Sequence, residues 1–142
     1  MIPMATVMKE SAAPAGINIE INNTPETGYW GEVWMIAPFY TSWWGGRPTY
    51  EAYSVVYPTE AAWNEAFYSD AEVDRLLELA LTQADLEDQK ETYGKIQCII
   101  VDEVPRIIPV FRPVMLGSHD YVKGLEPMPD FTLQLRWTWL DK

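Results

Sequence analysis

The sequence has little cysteine, histidine or positive charge. In 142 residues it contains one cysteine, Cys98, and one histidine, His119. One cysteine excludes an internal disulfide, and together the two residues exclude multi-cysteine and paired-histidine zinc sites. Ten Lys and Arg face 21 Asp and Glu, for a formal net charge of -11. Because a phosphate backbone selects basic residues, we expect no nucleic-acid partner. Nothing in the composition calls for a metal or a cofactor.

The sequence also has no long apolar run. No stretch approaches the roughly 20 residues of a membrane span. The N-terminus lacks the basic stretch and apolar core of a signal peptide, so we expect either a cytoplasmic protein or a piece whose leader lies elsewhere. The hydrophobic share of 48% and the charged share of 22% are typical of a soluble globular domain. Aromatic residues are the outlier, at 13% with seven Trp.

The first half of the sequence predicts short helices and short extended segments. Met4 to Ala13 is predicted as a helix that Pro14-Ala-Gly16 ends. The alternating residues 17–21 predict a half-buried strand. Tyr29 to Met35 predicts one or two helical turns, 36–44 an extended segment, and Thr49 to Tyr57 a further helix.

The second half carries the clearest signals. Ser69 with Glu72 has the spacing of a capping box, which predicts a helix through Val73, Leu76, Leu77 and Ala80. A second helix is predicted from Asp85 until Pro105, with its apolar stripe on Leu86, Tyr93, Ile96, Ile100 and Val104.

Two strand-like runs follow these helices. Ile107 to Leu116 contains two prolines, which favours an edge or crossing segment. Lys123-Gly124 predicts a turn, and Thr132 to Leu140 alternates as a strand with no evident partner. The order of elements predicts an α/β or α+β fold, and the unpaired elements indicate part of something larger.

No pattern predicts catalysis, so we expect no enzyme. Ser118-His119-Asp120 has triad residue types, but consecutive side chains point in different directions and do not converge. The pairs Glu87-Asp88 and Asp102-Glu103 are typical of solvated helix faces rather than of an acid and base across a substrate. Cys98 lies beside Ile99 and Ile100, which favours a buried packing role.

The aromatic residues favour a binding site. Thirteen of the nineteen lie between Tyr29 and Tyr68. We expect Trp30, Trp34, Phe39, Phe67 and Tyr93 to belong to the core. Adjacent Trp residues in an extended segment face opposite sides, so one member of the Trp43-Trp44 pair is left for a cleft. The glycines that follow allow close approach of the backbone to a ligand, and Arg47 adds a planar donor for an oxyanion.

Several stretches resemble a known family. The chain is similar to the C-terminal part of the family 5 extracellular solute-binding proteins of ABC importers, the peptide/nickel/oligopeptide type. The resemblance covers nearly the whole chain and depends on the order and spacing of stretches that are not individually decisive. They are Ala15–Glu20, Phe39–Gly46, Trp63-Asn64, Tyr68–Asp70, Asp74–Leu77, the helix 85–103 with Tyr93, Ile96-Gln97 and Asp102-Glu103, Ile108-Pro109 and Val122–Gly124.

This resemblance implies a partial type II periplasmic-binding-protein fold, an α/β architecture. Residues 1–112 would belong to the second ligand-binding lobe, and residues 113–142 would return to the first lobe, which a missing N-terminal part of the protein supplies. The full-length protein would be periplasmic or extracytoplasmic. It would close around a small-molecule or peptide ligand and deliver it to a membrane permease. We expect the ligand residues to be those of the aromatic segment itself, namely Tyr40, Trp43, Trp44, Gly45, Gly46 and Arg47.

The sequence departs from the family where its peptide-binding members place an Asp for the ligand's amino terminus. Here Gly46, Arg47 and Pro48 stand at that place. A cation disfavours an ammonium group and favours an oxyanion. A different class of protein stays open, namely a carbohydrate-binding module or glycoside-processing enzyme that stacks sugars on Trp. The two consecutive predicted helices argue against the β-sandwich of most such modules.

Overall fold

The computed structural model describes all of residues 1–142 and contains helices with one small sheet. The order is α1 (Ile2–Ala12), α2 (Glu26–Glu32), α3 (Thr49–Ser54), α4 (Ala71–Thr82), α5 (Leu86–Glu103), β1 (Val122–Lys123) and β2 (Trp139–Leu140), with 3₁₀ turns at Ala13–Ala15 and Leu135–Trp137. This mixture is compatible with part of an α/β domain. The chain forms two compact units, Met1–Trp44 and Gly45–Lys142. The predicted division at residue 112 stays a prediction.

The first unit consists of α1, α2 and irregular segments. The helix predicted at the N-terminus is confirmed as α1, and Gly16 terminates the following 3₁₀ turn at φ 79°, in the left-handed region. Helix α2 confirms the predicted helical turns and brings the rings of Trp30 and Trp34 to 5.5 Å in a T-shaped pair. No residue of this unit is fully buried.

The strand predicted over residues 17–21 is wrong. The segment has no regular structure, and Ile17 and Ile21 are exposed. A strand is stabilised by ladder hydrogen bonds, and no strand of this unit supplies them. The alternation of Ile and polar residues was therefore not sufficient. In the segment predicted as extended, residues 36–39 form a turn and bends, and residues 40–44 have no regular structure.

The second unit has its core between α4 and α5. The predicted residues Val73, Leu76, Leu77 and Ala80 of α4 are all buried. They pack on the face of α5 that carries Tyr93, Ile96 and Ile100, which confirms most of the predicted stripe. Leu86 and Val104, at the two ends of that stripe, are exposed. Val56 and Tyr57 after α3 complete the core.

The caps of these helices differ in part from the sequence prediction. Helix α5 begins beside Asp85, as predicted, and the Asp85 carboxylate caps it by accepting hydrogen bonds from the backbone N–H groups of Glu87 and Asp88. At α4 the N-cap is Asp70, whose carboxylate accepts from the N–H of Val73 at 2.7 Å. Ser69 is not the cap; its hydroxyl lies 3.1 Å from that of Thr59. Ser69 and Asp70 are both residue types that cap helices, and in this structure Asp70 has the N-cap position.

Four expectations about burial are also wrong. Cys98 is exposed, because it lies two residues from the buried Ile96 and therefore on the opposite side of α5. Trp30, Phe39 and Phe67 are exposed rather than in the core, whereas Tyr93 is buried as predicted. Phe67 also has φ 50°, which is rare for a bulky residue.

The tail forms the only sheet of the structure. Strand β1 pairs antiparallel with β2, with Val122 opposite Leu140 and Lys123 opposite Trp139. The predicted tail strand therefore has a pairing partner, contrary to expectation. Of the residues predicted as strand, only Trp139–Leu140 form one. The run Ile107 to Leu116 forms no strand.

The cap assignment predicts different costs for two neighbouring substitutions. Asp70→Ala leaves the N–H of Val73 without its acceptor and should lower the free energy of unfolding by about 1 kcal/mol. Ser69→Ala removes an exposed hydroxyl contact and should cost less than about 0.5 kcal/mol. Urea denaturation followed by circular dichroism measures both. A larger loss for Ser69→Ala would restore the capping box and contradict the structure.

Candidate functional site

The residues predicted to bind ligand are divided between the two units. Tyr40, Trp43 and Trp44 end the first unit, where Trp43 is exposed and the other two are half-buried. The hydroxyl of Tyr29 donates to the carbonyl of Thr41 at 2.7 Å, which ties this segment to α2. Gly45, Gly46 and Arg47 begin the second unit. Whether these six residues share one ligand stays a prediction.

The two glycines contact the tail of the chain. The N–H of Gly46 donates to the carbonyl of Pro129 at 3.0 Å. A Cβ at Gly46 would lie 2.8 Å from the Cβ of Pro129 and 2.9 Å from its carbonyl oxygen. A Cβ at Gly45 would meet the ring of Phe131 at 3.4 Å. Gly46 therefore allows the tail backbone to approach the loop closely, and its N–H is already used within the protein.

Arg47 is held by two neighbours. Its guanidinium forms an ion pair with Glu51 at 2.5 Å, one helical turn further on. The same group lies over the ring of Trp63, with its Cζ 5.5 Å from the ring centroid. Both Arg47 and Trp63 keep solvent-exposed surface. A ligand oxyanion at this place would meet a fixed guanidinium, and it would compete with the Glu51 carboxylate for that group.

Trp63 and Glu51 are the neighbours that sequence reasoning missed. The spacing of Arg47 and Glu51 is the i,i+4 spacing of helix ion pairs, so this contact was readable in the sequence. Trp63 lies in an irregular loop between α3 and α4, and no periodicity links it to Arg47. Its place beside Arg47 follows only from the path of that loop.

The loop that carries Trp63 is fixed by a buried asparagine. The amide of Asn64 donates to the carbonyls of Pro58 at 3.2 Å and Tyr68 at 2.7 Å. Its side-chain oxygen accepts from the N–H of Tyr68 at 2.9 Å. Asn64 thus cross-links both ends of the loop through three hydrogen bonds. Polar groups so satisfied below the surface hold a loop in one conformation.

Arg106 fixes the same loop from the end of α5. Its guanidinium pairs with Glu65 at 3.0 Å, and both side chains are largely buried. It also donates to the carbonyl of Trp63 at 3.5 Å and lies over the ring of Tyr57. Burial raises the pKa of Tyr57, against the opposing charge of Arg106. Removal of one partner from a buried ion pair costs more stability than the intact pair contributes, because the remaining charge is left buried and unpaired. The conformation of the loop therefore depends on this contact with the end of α5.

A further hydrogen bond closes the loop on α5. The hydroxyl of Tyr68 donates to the carboxylate of Glu103 at 2.5 Å. Desolvation and this hydrogen bond raise the pKa of Tyr68 above its usual value. The phenol therefore stays protonated and acts as a donor across the neutral pH range.

The residues with catalytic side-chain types do not converge. Ser118, His119 and Asp120 lie in an exposed segment, and the His119 ring stacks on Tyr121 at 5.0 Å rather than on either neighbour. Glu87 pairs with Lys90, and Glu103 accepts from Tyr68. No three His, Cys, Asp or Glu residues lie close enough together to hold a metal ion.

One small cavity lies in the tail, beside the sheet. Its volume is about 210 Å³, and its walls are Gly124, Glu126, Met128, Gln134, Trp137 and Trp139. The guanidinium of Arg136 lies 4.9 Å from the ring centroid of Trp137. The lining combines two indoles with one carboxylate and one amide, so it is partly apolar and partly polar. The cavity volume is smaller than that of a site for a drug-sized ligand.

Comparisons with protein-family models, with curated proteins and with solved structures found no match to this chain. None of its helices is long and apolar enough to cross a bilayer.

The close contact at Gly46 predicts that a methyl group there destabilises the fold. Gly46→Ala should lower the free energy of unfolding by about 1–3 kcal/mol, because the contact at Pro129 includes backbone atoms that shift only together. Gly94→Ala is the matched control: a Cβ there meets nothing within 4 Å, and alanine within α5 should stabilise by about 0.5–1 kcal/mol. Denaturant unfolding measures both variants. Equal stability of Gly46→Ala and the parent would contradict the described contact.

Proposed function

We propose that this chain supplies part of the ligand-binding surface of a solute-binding protein that serves an ABC importer. The full-length protein captures a small solute by closure of two lobes and delivers it to a membrane permease. It acts in the periplasm or outside the cytoplasmic membrane. The chain contributes part of one lobe, and a further part of the same protein supplies the opposite wall of the cleft.

The observation that carries this proposal is the fixed pair of Arg47 and Trp63. A guanidinium and an indole face lie together at the surface, 5.5 Å apart. Gly46, Asn64 and Arg106 hold the backbone on both sides of the pair through the contacts described above. A rigid aromatic and cationic surface binds a ligand without first losing side-chain entropy. The resemblance to the solute-binding family, in the order and spacing of its stretches, supports the same interpretation.

The ligand class follows from the charge at this position. Arg47 is a planar donor that binds a carboxylate through two parallel hydrogen bonds, and it repels an ammonium group. We therefore propose an oligopeptide-like or other oxyanion-bearing ligand, held through its oxyanion. In the empty site the Arg47 guanidinium is ion-paired with the Glu51 carboxylate, which balances its charge. When the ligand binds, its oxyanion takes the place of that carboxylate, so Arg47 is ion-paired in both states.

Substitution of Arg47 tests this function. In the full-length protein, Arg47→Ala should weaken binding of N-acetyl-trialanine, which has a carboxylate and no ammonium, by tenfold or more, about 1.4 kcal/mol. Arg47→Lys should recover part of that loss, because it keeps the charge and loses the planar fork. Isothermal titration calorimetry measures the affinities.

Two controls accompany that titration. Arg75→Ala removes an exposed arginine that is also paired with a glutamate, and it should leave the affinity unchanged. Trialanine amide, which has an ammonium and no carboxylate, should bind more weakly than the acetylated probe. An unchanged affinity in Arg47→Ala would remove Arg47 from the site, and a preference for the amide would refute the oxyanion.

Gene context tests the transport role independently. We expect an in-frame extension upstream of Met1 that encodes a signal peptide, with permease genes beside it. Sequencing the surrounding DNA checks both features. A stop codon directly before a strong start site, with no permease gene nearby, would count against a solute-binding protein.

The tail cavity favours a second candidate function, carbohydrate binding. The negative faces of Trp137 and Trp139 suit the polarised C–H bonds of a sugar ring, while Glu126 and Gln134 offer an acceptor and a donor for its hydroxyls. The lining contains one carboxylate, which suits binding rather than glycoside hydrolysis, since hydrolysis uses two. Binding of maltotriose that Trp137→Ala abolishes, with no effect of Arg47→Ala, would favour this candidate over the first.

A further inference from the structure

The backbone fixes the walls of the tail cavity. Trp139 lies in β2, opposite Lys123 of β1. Gly124 follows β1 at φ 70°, and a Cβ there would overlap the carbonyl oxygen of Trp137 and lie 2.6 Å from Cζ3 of Trp139. Glycine allows this close approach and adopts a positive φ without strain. Trp137 and Trp139 are nevertheless 67% and 59% exposed, so both indoles are held in place and accessible to a ligand.

One carboxylate in the cavity wall has no partner within the protein. Five other glutamates are each ion-paired with a lysine or an arginine, namely Glu51, Glu65, Glu72, Glu87 and Glu91. Glu126 takes part in no ion pair and no hydrogen bond. At an open surface an unpaired carboxylate is ordinary, because water solvates it. In the cavity the two indoles replace part of that water, so a cation beside Glu126 is attracted more strongly than at an open surface.

The basic residues of the tail do not neutralise this carboxylate. The guanidinium of Arg136 lies over the ring of Trp137, and the ammonium of Lys142 lies over a tyrosine ring. Neither residue lines the cavity, and nor does Lys123. The net charge of -11 also raises the local concentration of cations around the protein. The cavity therefore favours a cation over a neutral or anionic ligand of the same shape.

The rest of the lining indicates that the ligand has polar groups besides its charge. The side-chain amide of Gln134 offers both a donor and an acceptor, and it has no partner in the structure. A tetraalkylammonium ion would contact the indoles and leave Gln134 and Glu126 without hydrogen bonds. A ring that carries hydroxyls and a primary ammonium group would use the indoles, the amide and the carboxylate together.

We propose that the tail cavity binds a protonated amino sugar, a hexose with a free ammonium group. This inference rests on the second candidate function, carbohydrate binding at the same cavity, and names its ligand class. The ammonium donates to the carboxylate of Glu126, a hydroxyl bonds to Gln134, and a C–H face of the ring lies on an indole. Neutral sugars make the same indole contacts without the ion pair, so they bind more weakly.

Three monosaccharides with the same ring test the charge preference. Glucosamine is a cation at about pH 6, where an amine beside electron-withdrawing groups is protonated. N-acetylglucosamine and glucose are neutral, and glucose excludes the size of the acetyl group as the cause of a difference. Glucosamine should bind about fivefold more tightly than either, the upper range for an ion pair at a surface. Titrations of the full-length protein followed by ligand-observed saturation-transfer NMR measure these weak affinities.

Four variants locate the effect. Glu126→Gln keeps the size of the side chain and removes its charge, so it should abolish the preference for glucosamine and leave glucose binding unchanged. Glu78→Gln, at an exposed position of α4 outside the cavity, should change neither affinity. Trp137→Ala should abolish binding of both sugars, and circular dichroism checks that this exposed substitution leaves the fold intact. Arg47→Ala should leave glucosamine binding unchanged.

Four results would overturn the proposal. They are equal affinities for glucosamine and glucose, a preference that survives Glu126→Gln, loss of glucosamine binding in Arg47→Ala, and binding of tetramethylammonium as tight as that of glucosamine. Equal affinities would leave carbohydrate binding at the cavity intact, because the indoles still bind a sugar ring. Absence of binding for all three sugars and for maltotriose would overturn both this proposal and carbohydrate binding.

Discussion

The packing of α4 against α5 is the contact on which residues 45–142 depend. Val73 and Ile96 are fully buried at its centre. Helix α3 packs on α4, and the ring of Tyr53 meets that of Tyr93 on α5 at 5.3 Å. The loop that carries Trp63 is joined to α5 by Arg106 and by the hydrogen bond from Tyr68 to Glu103. The core contains only nine hydrophobic residues, so each of these contacts between elements is important for the stability of the unit.

The helices were predictable because their signals are local. Periodicity along α4 and α5 identifies the buried face, and the same periodicity places Cys98 away from Ile96, although its apolar neighbours suggested burial. Ser69 and Asp70 are one position apart along the chain, and the sequence alone does not show which of the two is the N-cap of α4. The end of α5 shortly before Pro105 was readable in the sequence, because proline restricts its own neighbours.

The strands and the candidate site were less predictable because their determinants are distant in sequence. Residues 17–21 alternate like a strand, but no second strand lies beside them to form ladder hydrogen bonds. Strands β1 and β2 do pair, over only two residues each. At the candidate site, the ion pair of Arg47 with Glu51 follows from helical spacing. The contacts of Gly46 with Pro129 and of Arg47 with Trp63 follow from how loops cross in space, and no local pattern encodes them.

The hydrogen bond from Gly46 to Pro129 has a consequence for synthesis of the protein. A ribosome makes the chain from its N-terminus, so the loop 45–48 emerges long before the tail residue that fixes it. The contacts between α4 and α5 need only residues 71–103, so every residue they use is made before Pro129. The surface around Arg47 therefore reaches its final form among the last parts of the protein. A chain released before Pro129 would lack the carbonyl that accepts the hydrogen bond from Gly46.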